Sequence, residues 1–98
     1  MPVTVHNVNR STSGGIWYSG IVNDGFSELG FEALVFETPS IYGYPSPWFE
    51  DGGTVSKLYL YDKGECVLTY DRGDISDDES EYMDAVNEVV AYFDAANS

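Results

Sequence analysis

The residue types that most often carry out chemistry in proteins are scarce in this chain. Histidine and cysteine each occur once, as His6 and Cys66. His6 lies in a strand-like stretch with no cysteine or acidic residue at ligand spacing, so we do not expect a zinc site. Cys66 is in the same alternating row as Leu68 and Tyr70, which predicts a buried thiol rather than a nucleophile. We therefore expect no enzyme, no metal site and no cofactor.

Two short motifs place charged residues close together. Asp74-x-Ser76-x-Asp78 begins like a calcium-binding loop, but it lacks the glycine at the sixth position. It also has Ala85 where the bidentate glutamate of such a loop belongs. Asp71-Arg72 sits in a predicted turn, and a structural ion pair is the favoured interpretation of Arg72. Neither motif predicts a reaction.

Acidic side chains constrain the partners of this protein more than any other feature. The chain has 17 Asp and Glu residues against four Lys and Arg residues, and its formal net charge is −13 at pH 7. A small folded body with that charge repels nucleic acid and anionic membranes and attracts basic surfaces at long range. Direct binding to nucleic acid is disfavoured, because few cations are available to replace counterions. Adaptation to high salt is an alternative explanation of the charge.

Part of the acidic charge is predicted to lie on one helix. Ser76-Asp77-Asp78-Glu79 has the form of a capping box, and the residues after it follow a helical period over about 77–95. The apolar face of this helix should consist of Tyr82, Met83, Val86, Val89, Val90 and Phe93. The opposite row should lie in water and consist of Asp77, Glu81, Asp84 and Glu88. Carboxylates on adjacent helix turns are about 5–6 Å apart, which is comparable to the spacing of phosphates along a strand.

A proline-rich segment at 39–53 is long for a connection in a small domain. Its aromatic side chains are Tyr42, Tyr44, Trp48 and Phe49. Some of them should fold back as a minor core, and others should be exposed anchors for a partner, since Tyr and Trp dominate interface hot spots. The acidic residues Glu50, Asp51, Asp62 and Asp71 could extend the acidic row.

These candidate residues need a sheet and a helix to position them. Five stretches have strand character, at 3–8, 16–22, 31–37, 54–61 and 65–70. Asp62-Lys63-Gly64 is a short turn, so the fourth and fifth strands should form a hairpin. Leu34 and Phe36 are expected to share one face of the third strand. The predicted fold class is α+β, with about five mostly antiparallel strands in a curved sheet and one C-terminal helix packed on one face.

Composition supports a single folded domain over residues 1–98. Apolar residues make up 43% and aromatic residues 15% of the chain, which is unlike disordered sequences. The lone cysteine permits no internal disulfide bond. The start of the sequence shows no signal-peptide pattern and no apolar run of membrane-spanning length, so we expect a soluble intracellular protein.

Three motifs in order resemble a known family. They are Phe36-Glu37-Thr38-Pro39-Ser40-Ile41-Tyr42-Gly43, then Gly53-Thr54-Val55-Ser56-Lys57-Leu58, then Tyr70-Asp71-Arg72-Gly73. This pattern resembles a family of small bacterial and phage-borne proteins classed as a domain of unknown function, over about residues 31–95. The chain differs from the pattern by extra loop length at 44–51, and by Asp74 where such proteins often have Trp. The resemblance implies a small α+β fold and an association with mobile elements, and it transfers no catalytic residues.

The charge and the acidic row favour a non-enzymatic inhibitor that occupies a basic nucleic-acid-binding surface. The concrete form of this hypothesis is a DNA mimic of phage or mobile-element origin, acting against CRISPR or restriction. The expected partner is a basic protein such as a CRISPR effector or a restriction enzyme. The alternative is a protein-binding module that docks through the aromatic loop at 42–49, with the charge serving only solubility. An enzyme is the third possibility.

Overall fold

The computed structural model describes residues 2–23, 25, 27–77 and 80–97. Within these ranges one antiparallel sheet of six strands is covered by one helix. The elements are β1 (Val3–Arg10), β2 (Ile16–Asn23), β3 (Glu28–Val35), β4 (Val55–Asp62), β5 (Glu65–Asp71), β6 (Asp74–Ile75) and α1 (Met83–Ala96). Each strand pairs with its neighbour in the sequence, so the strand order is β1 to β6. The predicted α+β fold is confirmed, with one more strand than expected.

The main core lies between one face of the sheet and α1. In β3 and β4, Phe31 pairs with Leu60 and Ala33 pairs with Leu58, and all four residues are buried. Strand alternation explains this, because every second side chain points to the same face. The helix covers that face with its apolar side, which buries Ala85, Val86, Val89, Val90 and Phe93. The predicted rotation of the helix is therefore confirmed, with Tyr82 and Met83 packed at its edge.

The opposite face of the sheet, called the outer face below, carries polar and aromatic side chains. Register places Trp17 of β2, Leu34 of β3, Lys57 of β4 and Asp71 of β5 in one row across four strands. The Trp17 ring stacks on Tyr59, with centroids 6.1 Å apart and planes 15° from parallel. Flat aromatic surface is therefore presented on the face away from the helix.

The third strand differs from its predicted limits. It begins at Glu28 and ends at Val35, and its core row contains Leu29, Phe31, Ala33 and Val35. Leu34 lies in the opposite row, on the face away from the helix. Leu34 and Phe36 line the same cleft on that face, as expected of residues that share a face. Phe36 follows the strand, where its N–H donates to the carbonyl of Thr54.

Cys66 is exposed, so the prediction of a buried thiol is also wrong. Leu60 pairs with Leu68, whereas the next residue, Tyr61, pairs with Cys66. One additional residue of β5, Val67, therefore lies between the two pairs as a bulge. A shift of one residue moves the side chains that follow to the other face of a sheet. Cys66 consequently shares the outer face with Tyr61.

The helix begins later than its sequence pattern indicates. Its first residue is Met83, and Tyr82 occupies the N-cap position without a side-chain cap. Ser76 is bound to the sheet, because its N–H donates to the carbonyl of Thr69 and its hydroxyl accepts from the N–H of Thr69. The predicted capping box is therefore wrong for Ser76, and its partner Glu79 lies outside the described residues.

Candidate functional site

The predicted acidic row is not a single helix face. Asp77 and Glu81 precede α1, so only Asp84 and Glu88 share the helix. Glu81 and Asp84 are exposed as predicted, whereas Glu88 is half-buried. The prediction of one acidic helix face is therefore wrong. Two of the four carboxylates are on the helix, and the other two lie in the connection between β6 and the helix.

A different acidic cluster forms around Tyr82. The Tyr82 hydroxyl lies 3.4 Å from a carboxylate oxygen of Asp62, the last residue of β4. Burial of the ring and the nearby carboxylates of Glu81, Asp62 and Glu65 raise the pKa of Tyr82. The turn between two strands and the start of the helix therefore bring their negative charges together. We call these three residues, together with Asp84 in the first turn of the helix, the acidic cluster.

Few of the negative charges on this surface are neutralised. Four basic side chains cannot balance seventeen acidic ones. The ion pair between Lys57 and Asp71 has an N–O distance of 3.7 Å and joins two partly exposed groups. Exposed pairs of this kind are weak. The exposed acidic residues outside the acidic cluster include Glu28, Glu32, Glu37, Glu50, Asp51 and Asp74.

Hydrogen bonds to Asp94 hold the long segment between β3 and β4 against the helix. This carboxylate has no exposed surface. One oxygen accepts from the Thr54 N–H at 2.9 Å and from the Thr54 hydroxyl at 2.6 Å, and the other accepts from the Ser46 hydroxyl at 2.5 Å. Gly53 packs so closely against Asp94 that an added Cβ would clash with the carboxylate. Sequence reasoning missed this role, although Asp94 directly follows Phe93 on the buried side of the helix.

The aromatic residues of this loop separate into buried and exposed groups. Tyr44 is half-buried, and its ring packs edge-on against Tyr70 with centroids 5.0 Å apart. Phe49 is also half-buried. Tyr42 and Trp48 remain 47% and 44% exposed, and Ile41 is 78% exposed. The loop is therefore an ordered element that presents part of its apolar surface to solvent.

The two exposed aromatic residues face different grooves. Trp48 lines a shallow groove with Asn87, Glu88 and Ala91 of the helix. Tyr42 instead lines a cleft at the end of the outer face. The predicted binding residues of the loop thus do not form one patch, and Trp48 is the residue that approaches the acidic side of the helix.

The cleft beside Tyr42, called the outer cleft below, has a volume of about 440 Å³. The side chains that give it its character are Trp17, Leu34, Phe36, Tyr42, Lys57 and Arg72. The Arg72 guanidinium carbon lies 4.7 Å from the centre of the Tyr42 ring. The predicted ion pair of Arg72 is therefore replaced by a cation–π contact, and its neighbour Asp71 pairs with Lys57 instead.

On the outer face, a tyrosine is bound to a carboxylate. The Tyr61 hydroxyl donates to Glu32 at 2.5 Å. This hydrogen bond, aided by burial and by the charge of Glu32, raises the pKa of Tyr61 to about 12. Tyr61 is therefore protonated at neutral pH and is a poor general base. Across the described residues, no group of three His, Cys, Asp or Glu side chains could hold a metal ion.

Residues 16–94 match a family described as a domain of unknown function, DUF7678. The chain belongs to this family, since the match covers well over half of its length. The matched region also includes β2, which lies outside residues 31–95, the stretch that resembles the family in the sequence. No curated protein and no solved structure shows a significant match to the chain. Among the described residues, no helix is long and apolar enough to cross a membrane.

Proposed function

We propose that this protein is a non-enzymatic inhibitor that occupies the basic nucleic-acid-binding surface of another protein. The observation that carries the proposal is the surplus of surface carboxylates, which the few basic side chains leave largely unpaired. Such a body is steered toward a positive groove from a distance. Its carboxylates can replace phosphates against Lys and Arg without offering a bond to cleave.

The acidic cluster is the part of the surface that best fits this role. Asp62 and Glu65 are the strand residues that flank the turn between β4 and β5, Glu81 lies just before the helix, and Asp84 lies in its first turn. Burial of the ring raises the pKa of Tyr82, and the negative charges of three of these residues, Glu81, Asp62 and Glu65, raise it further. Under this proposal, the protein comes from a phage or mobile element, acts in the bacterial cytoplasm, and targets a CRISPR effector or a restriction enzyme.

Inhibition of defined enzymes tests the proposal. A panel of restriction endonucleases and CRISPR effector nucleases is assayed for DNA binding and cleavage with increasing amounts of the protein, at low and physiological salt. We expect inhibition of at least one enzyme by competition with DNA, and weaker inhibition at higher salt, since screening reduces attraction between exposed charges. Failure to inhibit any member of the panel would count against the proposal.

Charge reversal locates the surface that acts. The variant Glu65→Lys/Glu81→Lys/Asp84→Lys reverses three exposed residues of the acidic cluster. Its control, Glu28→Lys/Glu37→Lys/Glu50→Lys, makes the same change in net charge at exposed positions elsewhere. We expect the first variant to lose inhibition and the control to retain most of it, because like charges at an interface cost several kcal/mol. An equal loss of inhibition in both variants would show that inhibition depends on net charge alone and not on the acidic cluster.

A protein-binding module that docks through the loop is the second candidate. It is favoured by the exposure of Ile41 and Trp48 on a segment that Asp94 holds in place. Preordered aromatic anchors bind with little loss of conformational freedom. The double variant Ile41→Ser/Trp48→Ala should abolish binding under this candidate, and the salt dependence should be slight.

A further inference from the structure

We propose that the outer cleft binds a small aromatic phosphate, such as a nucleoside monophosphate. This inference is independent of the inhibitor proposal, because the cleft lies on the outer face and contains no residue of the acidic cluster. Its volume of about 440 Å³ is in the range of small-molecule sites. Charge, local conformation and aromatic surface each support the assignment.

The charge of the cleft is opposite to that of the protein. Two of the four basic side chains of the chain, Lys57 and Arg72, line it. No Asp or Glu is among its described lining residues, although acidic residues outnumber basic ones by seventeen to four. Asp71 is not a lining residue, and its ion pair with Lys57, at 3.7 Å between two partly exposed groups, is of the weak kind. Two cations match the charge of a phosphate monoester near neutral pH.

The backbone at Arg72 places its side chain at the cleft despite a conformational cost. Arg72 has a φ of +48°, in the left-handed region that glycine and asparagine adopt most readily. It forms the turn between β5 and β6 together with Gly73, and its N–H donates to the carbonyl of Ser56 at 2.9 Å. Strained residues of this kind are often found at binding sites. The guanidinium group is held over Tyr42 rather than over a carboxylate.

The walls of the cleft suit a flat ring. Trp17 is held by its stack on Tyr59, so its plane is set before any ligand arrives. Tyr42 is almost half exposed and lies below the Arg72 guanidinium. The hydroxyl groups of Ser11, Ser13 and Ser40 also line the cleft and can hydrogen bond to a sugar or to phosphate oxygens.

The net charge of the protein selects a small ligand rather than a nucleic acid. A polymer that placed one phosphate in the cleft would bring its other phosphates against a surface with a charge of −13. A mononucleotide carries its whole charge into the positive cleft and has no such extension. The expected ligand is therefore a free aromatic phosphate.

Tryptophan fluorescence provides the test. The chain has two tryptophans, and Trp48→Phe leaves Trp17 as the only tryptophan reporter. This variant is titrated with adenosine 5′-monophosphate and, in separate arms, with phenyl phosphate, adenosine and inorganic phosphate. We expect saturable quenching by the two aromatic phosphates. Adenosine and inorganic phosphate should bind at least about tenfold more weakly, since each lacks half of the recognised groups.

Two matched substitutions connect binding to the cleft. Arg72→Asn removes the cation and suits the left-handed backbone. Lys63→Asn is its control, because Lys63 has a φ of +53° in the turn between β4 and β5 and does not line the cleft. We expect Arg72→Asn to weaken binding of adenosine 5′-monophosphate by about tenfold or more, and Lys63→Asn to leave it nearly unchanged. The thermal unfolding of both variants is measured first, to establish that they are folded.

Three results would overturn the proposal. The first is the absence of quenching by both aromatic phosphates. The second is equal affinity for adenosine and its monophosphate, which would remove the role of the cations. The third is an equal effect of Arg72→Asn and Lys63→Asn, which would assign binding to general electrostatic attraction.

Discussion

At the scale of single residues, Asp94 has a role that differs from that of the surface acids. It is fully buried and accepts three hydrogen bonds from Ser46 and Thr54. Hydrogen bonds to a charged group are among the stronger ones, and a buried donor left without a partner is costly. Asp94 therefore joins the loop to the helix, whereas backbone hydrogen bonds such as Tyr44 N–H to the Val55 carbonyl join the loop to β4.

Removal of this carboxylate should destabilise the protein strongly. Asp94→Ala leaves buried donors of Thr54 unsatisfied, so we expect the free energy of unfolding to fall by about 3 kcal/mol. Asp84→Ala is the control on the same helix, where exposure should limit the change to about 0.5 kcal/mol. Urea denaturation measures both values. Similar losses in the two variants would contradict the assigned role of Asp94.

Tyr61 should make stability depend on pH in the alkaline range. Its pKa in the folded protein is about 12, above the ordinary value of 10, because its hydroxyl donates to Glu32. The folded protein thus keeps a proton that the unfolded chain loses. The stability contributed by this group is complete below pH 10 and is lost as the pH rises toward 12. Stability should therefore fall less steeply over this range in Tyr61→Phe.

The phenolate absorbance gives an independent measure of the same contact. Glu32→Ala removes both the hydrogen-bond acceptor and the negative charge that raise the pKa of Tyr61, so the tyrosine should titrate at lower pH in this variant. An unchanged titration would show that the hydrogen bond between Tyr61 and Glu32 does not govern the pKa.

At the scale of elements, the bulge in β5 changes the chemistry of the outer face. The bulge turns the Cys66 side chain to solvent, on the same face as its strand partner Tyr61. We expect Cys66 to react with a thiol reagent in the native protein nearly as completely as in urea, because its accessibility does not require unfolding. Cys66→Ser should change stability by no more than about 0.5 kcal/mol. Protection of the thiol until denaturation would contradict the position of the bulge.

The hairpin of β4 and β5 shows why some features of the fold can be predicted from the sequence and others cannot. The hairpin of β4 and β5 was predictable, because a tight turn joins two alternating stretches. The face of Cys66 was not, since a bulge depends on pairing with the neighbouring strand and leaves no mark on the alternation itself. The late start of α1 has a similar cause: Ser76 has the right type for a cap, but it bonds to Thr69 in the sheet.

The candidate site was predictable in composition and less so in arrangement. The excess of acidic residues and the division of the loop aromatics into packed and exposed side chains could be predicted from the sequence, but not that Tyr42 and Trp48 are the exposed ones. The acidic cluster could not, because Asp62 and Glu81 are brought together only by the docking of the helix. The outer cleft was also missed, since Trp17 and Arg72 are far apart in the sequence and meet across four strands.

At the scale of the whole molecule, net charge should control stability. The protein measures 31 by 27 by 24 Å, so at 0.01 M salt the screening length of about 30 Å spans it. Its surface charges then repel one another across the whole body, which favours the expanded state. We expect the thermal unfolding temperature to rise as sodium chloride increases from 0.01 to about 1 M, where screening acts within about 3 Å.

A second measurement near the isoelectric pH provides the control for this salt effect. The isoelectric point from the sequence is about 4.1, where net repulsion vanishes. The rise of the thermal unfolding temperature with salt should therefore be large at pH 7 and nearly absent close to pH 4. A salt effect of the same size at both pH values would indicate a cause other than charge repulsion.

The strand order has a consequence for how the chain folds. Because every strand pairs with its sequence neighbour, most of the sheet can form by extending one hairpin into the next. Chains whose contacts are local in sequence fold faster than those that must first close long loops. The helix contacts β1, β2 and β4, all distant in sequence, so its docking is the step with the longest search. The hydrogen bonds from Ser46 and Thr54 to Asp94 can form only after that step, so we expect the part of the loop around Ser46 to become ordered late in folding.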